Sequence, residues 1–137
     1  MELDTKLYVT GSDGKKYMGI GVLWLLEEID KSKSLRSASI NMGLSYSKAY
    51  GMLKRLEEEV GKPFVERKRG GATREGLELT PFARSYMEIY REFQTSAKKA
   101  AEKEFVVFRE KIDALIKEDI NGSAGICNRK NWRSQNR

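Results

Sequence analysis

The C-terminal half of the sequence contains a long stretch without a helix-breaking residue. Thr80 and Pro81 begin it, with threonine as a helix N-cap and proline at the first helical position, and neither glycine nor proline follows before Gly122. Apolar residues recur there every three or four positions, namely Phe82, Tyr86, Ile89, Tyr90, Phe93, Ala97, Ala101, Phe105, Phe108, Ile112 and Leu115. The pattern predicts one long helix over residues 81–120, which leaves a single small domain for the rest of the 137-residue chain.

This helix carries more apolar surface than a small domain can cover. We therefore expect a second copy of the chain to cover it, as in a coiled coil. The predicted dimer-interface residues are Tyr86, Tyr90, Phe93, Ala97, Phe105, Phe108 and Ile112. Two alternatives stay open. The first part of the helix could pack on residues 22–29 of its own chain, and the distal half could be a solvated single helix.

The beginning of the chain shows strand-like alternation and then helix-like spacing. Residues 3–20 alternate apolar and polar side chains around the turn-forming segment 11–14, which predicts an N-terminal β-hairpin. A helix over residues 22–31 follows, with apolar residues at helical spacing, namely Val22, Leu25, Leu26 and Ile29. Trp24 is expected in the core.

Two further helices are predicted on either side of a glycine turn. Ser34 is the expected N-cap of a short helix over residues 35–42, whose candidate inner residues are Leu35, Ala38 and Ile40. Gly43 is expected to end that helix in the left-handed conformation. Ser45 or Ser47 then caps a third helix, which runs to Val60 and whose expected buried residues are Ala49, Leu53, Leu56 and Val60.

The outer side of the third helix is rich in hydroxyl, aromatic and basic side chains. Two short helices joined by a tight turn present the second as a probe, and these side chains can donate to phosphates and to base edges in a major groove. The candidate DNA contacts are Ser45, Tyr46, Ser47, Lys48, Tyr50, Gly51, Lys54 and Arg55. The alternative is an ordinary helical domain. Gly51 fits either close approach of a partner or close packing of another helix.

A strand, a basic glycine-rich loop and a returning strand follow the third helix. The predicted strands are residues 64–67 and 77–79, and the loop between them spans residues 68–76. Such a hairpin beside a probe helix is typical of a wing that touches the DNA backbone or the minor groove. Its candidate DNA contacts are Arg67, Lys68, Arg69 and Arg74. A solvated hairpin is the alternative, and Glu75 and Glu78 favour it.

Composition excludes several classes of site. The chain has no histidine and one cysteine, Cys127, so a histidine base, a histidine metal ligand and an intrachain disulfide are all excluded. Four of the six net positive charges lie in residues 121–137, so the body is nearly neutral and only local patches can indicate a polyanionic partner. No signal-peptide pattern, membrane-length apolar run, nucleophile–base set or phosphate-cradling loop is found. We expect a cytoplasmic, prokaryotic protein that is neither an enzyme nor cofactor-dependent, with no membrane partner.

Residues 35–50, 53–57, 61–67, 70–71 and 79–81 together resemble the N-terminal domain of molybdate-responsive regulators of the ModE type. They are similar, less closely, to the LysR-type winged helix. The resemblance implies a dimeric transcription factor in which residues 45–55 read the major groove, residues 68–76 form the wing and the long helix pairs the protomers. Full-length ModE-type members carry a further oxyanion-binding domain, for which this chain stops too soon, so we expect no molybdate site within it.

The sequence thus predicts a mainly α chain with small β elements, built as a winged helix-turn-helix. The expected parts are an N-terminal β-hairpin (1–21), the winged helix-turn-helix (22–80), a long dimerisation helix (81–120) and a flexible basic tail (121–137). The expected function is sequence-specific binding of double-stranded DNA by a homodimeric transcriptional regulator. A dimeric protein-interaction adaptor that has lost DNA binding is the alternative.

Overall fold

The structure is a computed structural model that describes residues 1–70 and 74–122, with side chains described except at residues 69–75 and 122. Its elements in chain order are β1 (Tyr8–Thr10), β2 (Lys16–Gly19), α1 (Ile20–Ser32), α2 (Leu35–Asn41), α3 (Tyr46–Val60), β3 (Val65–Gly70), β4 (Arg74–Leu79) and α4 (Pro81–Gly122). This mainly helical winged-helix arrangement confirms the predicted fold class. The predicted tail from residue 123 onward, including Cys127, lies outside the described residues.

The chain divides into two compact units. One comprises Lys6–Ser96, and the other comprises Met1–Thr5 together with the chain from Ala97 onward. The hydrophobic core belongs to the first unit and is formed by all three short helices, the base of the β3–β4 hairpin and the first turns of α4. All the tertiary contacts discussed below lie within this unit.

The N-terminal hairpin is shorter than residues 3–20 because its second strand runs directly into α1. Strands β1 and β2 pair antiparallel with Val9 opposite Met18, and Met18 is buried in the core. Helix α1 starts at Ile20, and its buried residues are Leu23, Leu25, Leu26 and Ile29, with Val22 packed at the edge of the core. Trp24 is 53% exposed, which corrects its predicted core position. It lies one helical turn after the exposed Ile20, on the outer side of α1.

The predicted turn between α2 and α3 is confirmed in detail. The Ser34 hydroxyl accepts the Ser37 N–H at 3.1 Å, and the Ser45 hydroxyl accepts the Lys48 N–H at 3.1 Å, so both serines cap their helices. Gly43 has φ +68°, the left-handed conformation expected of it. Ile40, however, is 69% exposed, because Leu35, Ala38 and Ser39 already form the buried side of this short helix.

Strands β3 and β4 form an antiparallel hairpin that is longer than predicted, with Val65 opposite Leu79 at its base and Gly70 opposite Arg74 at its far end. The Leu77 N–H donates to the Lys33 carbonyl at 2.9 Å, which joins the hairpin to the α1–α2 turn. Lys33 holds that turn in a left-handed conformation at φ 58°, where glycine is the usual residue.

Phe64 connects the end of α3 to the start of α4. Its N–H donates to the Glu57 carboxylate at 2.7 Å, and its carbonyl accepts the Thr80 N–H at 3.0 Å. The Thr80 hydroxyl accepts the Ala83 N–H at 3.0 Å, which confirms threonine as the N-cap of α4. The Phe64 side chain is fully buried and meets the Tyr86 ring edge-on, with 5.1 Å between centroids.

The first turns of α4 pack on their own chain, as one of the two alternatives allowed. Tyr90 is only 5% exposed, so its predicted place in a dimer interface is corrected: it is a core residue. Tyr86 is half-buried against the same core, and burial raises the pKa of its hydroxyl to about 12. Arg84 forms a two-pronged ion pair with Asp30 of α1, at 2.8 and 3.2 Å, and its hydrogen bonds lower the pKa of Asp30.

Arg55 of α3 holds the N-terminal hairpin. Its Nη2 atom donates to the Asp13 carboxylate at 3.0 Å and to the Lys15 carbonyl at 3.1 Å, while its Nε atom donates to the Lys16 carbonyl at 2.9 Å. Glu59 lies 3.7 Å away on the next turn of α3. The backbone N–H of Lys15, together with Arg55, holds the pKa of Asp13 below its ordinary value. One guanidinium therefore fixes the turn of the hairpin to α3.

The left-handed Lys33 gives a stability prediction. Replacing it by glycine should raise the free energy of unfolding by about 1 kcal/mol, because a β-carbon in this conformation costs roughly 1–2 kcal/mol and glycine returns only part of that as unfolded-state entropy. Chemical denaturation of the whole chain measures the change. Lys33→Ala, which also removes the ammonium but keeps the β-carbon, should show no gain. Equal stability of the two variants would contradict the strain.

The Arg55 contacts give a prediction about hairpin dynamics. In Asp13→Ala the guanidinium loses its carboxylate partner in the turn, so amides of Tyr8–Thr10 and Lys16–Gly19 should exchange hydrogen several-fold faster. Amides of α1 should be unaffected. Ser12→Ala, a change at the neighbouring exposed position of the same turn, is the control and should exchange as the unmodified chain does. Unchanged exchange in Asp13→Ala would show that the hairpin does not need this ion pair.

Candidate nucleic-acid interface

The outer side of α3 presents two tyrosines and a lysine in one row. Tyr46 and Tyr50 are 49% and 47% exposed, and their rings stack with centroids 6.3 Å apart and an interplanar angle of 16°. The row exists because residues four apart lie on the same helical face, and Lys54 continues it. The Lys54 Nζ atom lies 5.8 Å from the centroid of the Tyr50 ring. Aromatic faces and an ammonium group are therefore exposed together.

A second row on α3 runs beside the first. Ser45, Ser47, Lys48 and Gly51 are all exposed, as predicted from the sequence. No carboxylate of the described residues pairs with Lys48 or Lys54. Both ammonium groups are thus available to an external anion.

Arg55 is the one residue of this helix that the structure places differently. Its predicted position was on the DNA-facing surface, but its guanidinium is occupied by Asp13 and by two carbonyls of the hairpin. Residue 55 lies one turn after Gly51, on the side of α3 that faces the N-terminal hairpin. Its side chain is therefore used in a tertiary contact and does not belong to the exposed face. Arg55 is a positioning residue in this structure, whereas the other seven candidates of α3 are exposed.

The β3–β4 hairpin, which we call the wing, stands beside α3 with basic side chains on its first strand. Arg67 and Lys68 are exposed. The Lys68 ammonium pairs with the Glu78 carboxylate at 3.2 Å, which reduces its positive charge toward a partner. Arg69 and Arg74 lie on the two strands near the tip, where their backbones pair with Glu75 and Gly70. Their side chains lie outside the described set, so their role stays a prediction.

A polar cleft of about 280 Å³ lies between the wing and α3. Tyr46 and Arg67 line it from these two elements, and Lys33 and Arg36 line it from the α1–α2 turn and the first turn of α2. The sequence prediction did not include Lys33 or Arg36. The signal available for Arg36 was its place two residues after the Ser34 cap, in the first turn of the helix that precedes the probe helix. Three cationic residues thus border one cleft at the edge of the exposed face.

Other kinds of site find no support in the described residues. Within residues 1–70 and 74–122, no group of three or more acidic, cysteine or histidine side chains could hold a metal ion. No helix in this part of the chain has the length and apolarity that a membrane crossing requires. The described residues form a hydroxyl-rich, aromatic and cationic face between two β-hairpins.

Comparison with known proteins agrees with this geometry. Residues 21–84 match the family described as "Bacterial regulatory helix-turn-helix protein, lysR family". A search of curated proteins found no match. Among solved structures, the CbnR_DBD–DNA complex matches 66% of this chain and 98% of that one, at 17% identity and a TM-score of 0.50.

Two other structures are similar over comparable lengths. CbnR, described as a LysR family transcriptional regulator, matches 64% of this chain and 28% of its own, at 18% identity and a TM-score of 0.48. The BenM_DBD/benA site 1 DNA complex matches 77% of this chain and 100% of the other, at 14% identity and a TM-score of 0.45. The closer resemblance to ModE-type regulators stays a prediction. The family match thus covers somewhat less than half of the chain, and the structural match shows that the chain shares the winged-helix fold.

Proposed function

We propose that the chain is a sequence-specific transcriptional regulator of bacterial type that binds double-stranded DNA in the cytoplasm as a homodimer. Helix α3 enters the major groove, and the wing contacts the backbone or the minor groove. The observation that carries this proposal is the exposed face of α3, where seven of the eight predicted contact residues lie together. A solved structure of similar fold supports it, since it is described as a DNA complex.

The exposed face has the chemistry that base recognition needs. A major groove is about 12 Å wide and admits an α-helix, whose hydroxyl, amide and basic side chains then reach the base edges. Ser47, Tyr50 and Lys54 lie along the outer face within the first three turns of α3, where a probe helix makes such contacts. Lys48 carries a charge without a carboxylate partner among the described residues, and this charge suits a phosphate.

The cleft beside the wing supplies contacts that do not depend on sequence. Lys33, Arg36 and Arg67 line it; the Lys33 ammonium lies 3.4 Å from the Asp30 carboxylate, and this cationic edge suits the phosphates of one DNA strand. The acidic end of α3 does not oppose this placement. Glu57 accepts the Phe64 N–H and Glu59 pairs with Arg55, so two of the three glutamates near Val60 are engaged within the chain.

The part of α4 from Ile89 onward supports the homodimer. Its exposed large apolar residues are Ile89, Phe93, Val106, Val107, Phe108, Leu115, Ile116 and Ile120. Phe105 and Ile112 lie half-buried between them, and the Phe105 and Phe108 rings stack at 6.2 Å. A face of this kind is best covered by the same helix of a second copy, at roughly 25 cal/mol for each Å² of apolar surface removed from water. With Tyr90 in the core, the interface we propose is centred on Phe108 rather than on the first turns of α4.

A two-fold homodimer has a consequence for the target. It carries two copies of α3, and each can occupy the major groove of one half-site. The half-sites are then about 34 Å apart, or a multiple of that distance, and related by the same two-fold symmetry as the protein. We therefore expect a palindromic operator.

The groove assignment gives a binding prediction. In Lys48→Glu/Lys54→Glu both ammonium groups of the face become carboxylates, so duplex binding should fall at least about a hundredfold at 0.1 M salt. Fluorescence anisotropy with a duplex chosen by selection from random sequence measures it. Lys98→Glu/Lys99→Glu, on exposed positions of α4, makes the same change in net charge and should bind almost normally. Equal losses in the two variants would mean that only net charge matters and would sink the groove assignment.

The α4 interface gives a separate prediction. Phe108→Glu/Leu115→Glu places two carboxylates in the apolar stripe, so the homodimer should dissociate at micromolar concentration because buried unpaired charges are costly. Sedimentation equilibrium measures the mass. Lys117→Glu, about half a turn around the helix from both positions, should stay dimeric. A double variant that keeps the dimer mass would remove Phe108 and Leu115 from the interface.

A further inference from the structure

A second cleft, of about 450 Å³, separates the N-terminal hairpin from α3. Tyr8 and Lys16 line it from the hairpin, Gly21 lines it from α1, and Lys48, Gly51 and Arg55 line it from α3. Tyr46, which borders the cleft on the wing side, lies two residues before Lys48 and so on a different side of the helix. The exposed face of α3 therefore has a cleft along each of its edges.

Two glycines inside helices line this second cleft, and no contact within the described chain requires glycine at either position. Neither Gly21 nor Gly51 has a positive φ, and a β-carbon built on either would meet no described atom within 4 Å. Glycine inside a helix costs up to about 1 kcal/mol relative to alanine. Close packing of another helix, one of the two explanations for Gly51, is thus excluded for the described part of the chain. The remaining explanation is a partner that approaches the backbone of both helices at this place.

Aromatic and apolar residues, among them Tyr17, Met18, Val22 and Met52, also line the cleft, and its lysines lie on opposite walls. The Lys16 ammonium lies 3.9 Å from the centroid of the Tyr8 ring, which holds it at the rim, and Lys48 lies on the opposite wall. Among the described residues no carboxylate pairs with either ammonium. The nearby acids, Asp13 and Glu59, are both bound to Arg55. The ammonium groups of Lys16 and Lys48 therefore face the cleft, whereas the nearby carboxylates are paired with Arg55.

We propose that this cleft seats one sugar–phosphate strand of the bound duplex, which makes the N-terminal hairpin a second DNA-contacting ribbon on the side of α3 away from the wing. The proposal rests on the DNA binding proposed above. Lys16 and Lys48 contact phosphates from the two walls, and Gly21 and Gly51 leave room for the strand between them. Arg55 contributes by holding the hairpin at the right distance, not by touching DNA.

The dimensions of duplex DNA agree with this arrangement. A helix with its side chains is about 10–12 Å across, close to the width of the major groove, so the two strands that border the groove pass along both sides of the inserted helix. The cleft of Lys33, Arg36 and Arg67 receives one strand, and the cleft of Lys16 and Lys48 receives the other. A duplex explains both clefts at once, whereas a small anionic molecule would explain only the second.

Two variants of the whole chain test the proposal with the selected duplex. Lys16→Ala should lower affinity about fivefold to tenfold at 0.1 M salt and reduce the slope of log K against log salt by about 0.9, the value for one phosphate contact. Gly21→Gln fills the cleft and should lower affinity at least about tenfold without lowering the free energy of unfolding, since glutamine is the better helix former. Thr95→Gln and Lys98→Ala, at exposed positions of α4, are the matched controls and should bind nearly normally.

The outcomes separate this inference from the function on which it rests. Loss of affinity in Lys16→Ala and Gly21→Gln, with both controls normal, supports the seated strand. If both variants bind with the affinity and salt slope of the unmodified chain while Lys48→Ala weakens binding, the hairpin contact is overturned, although α3 still binds DNA. If the unmodified chain binds no duplex from the random pool, the proposed function fails and this inference fails with it.

Discussion

The burial of Phe64 is the contact on which the geometry of the interface depends. The ring lies between α3, the wing and α4, edge-on to Phe82 and Tyr86 at 5.6 and 5.1 Å. Its backbone N–H and C=O are both used, the first by the Glu57 carboxylate and the second by the Thr80 N–H. A single residue therefore links the last turns of α3, the start of the wing and the N-terminus of α4. Because the burial of the ring and both hydrogen bonds of the Phe64 backbone favour the same position, a rotation of the wing about α3 would weaken all three contacts.

The two hairpins are held to the helical core by different chemistry. The wing is joined to the α1–α2 turn by the Leu77 N–H and the Lys33 carbonyl, a contact that needs no particular side chain. The N-terminal hairpin is joined to α3 by the Arg55 guanidinium, which binds the Asp13 carboxylate and two carbonyls. A planar guanidinium has several donors in fixed directions, so it can hold a turn in one orientation where an ammonium could not. The spacing of the two hairpins about α3 is thus set by local hydrogen bonds on each side.

The features that the sequence could predict depend on interactions between residues close together in the chain. The caps at Ser34, Ser45 and Thr80 and the turn at Gly43 depend on neighbours within four residues, and all of them are found as predicted. Trp24 and Ile40 are apolar, yet they are exposed, because helix periodicity alone does not tell which edge of an apolar arc meets the core.

The misplaced site residues have a different cause. Arg55 and Tyr90 are residue types common in surface contacts, but their partners in this fold are far away in sequence. Asp13 lies 42 residues before Arg55. The core that buries Tyr90 is built from α1, α2 and α3 as well as from α4. Lys33 and Arg36 were missed for the same reason, since only the fold brings them to the cleft that Arg67 borders. The local sequence pattern therefore predicted which residues of α3 are exposed, whereas tertiary contacts determine which residues border that exposed face.

The charge of this face also arises from tertiary contact. Outside residues 121–137 the chain is nearly neutral, so composition alone gives the body no preference for a polyanion. Several acids, however, are engaged in holding elements together: Asp13 binds Arg55, Asp30 binds Arg84, Glu27 binds Arg91 and Glu57 binds the Phe64 N–H. The lysines of α3 have no such partners among the described residues. A neutral body can thus present a cationic face, because its carboxylates are used in positioning the helices and hairpins that border that face.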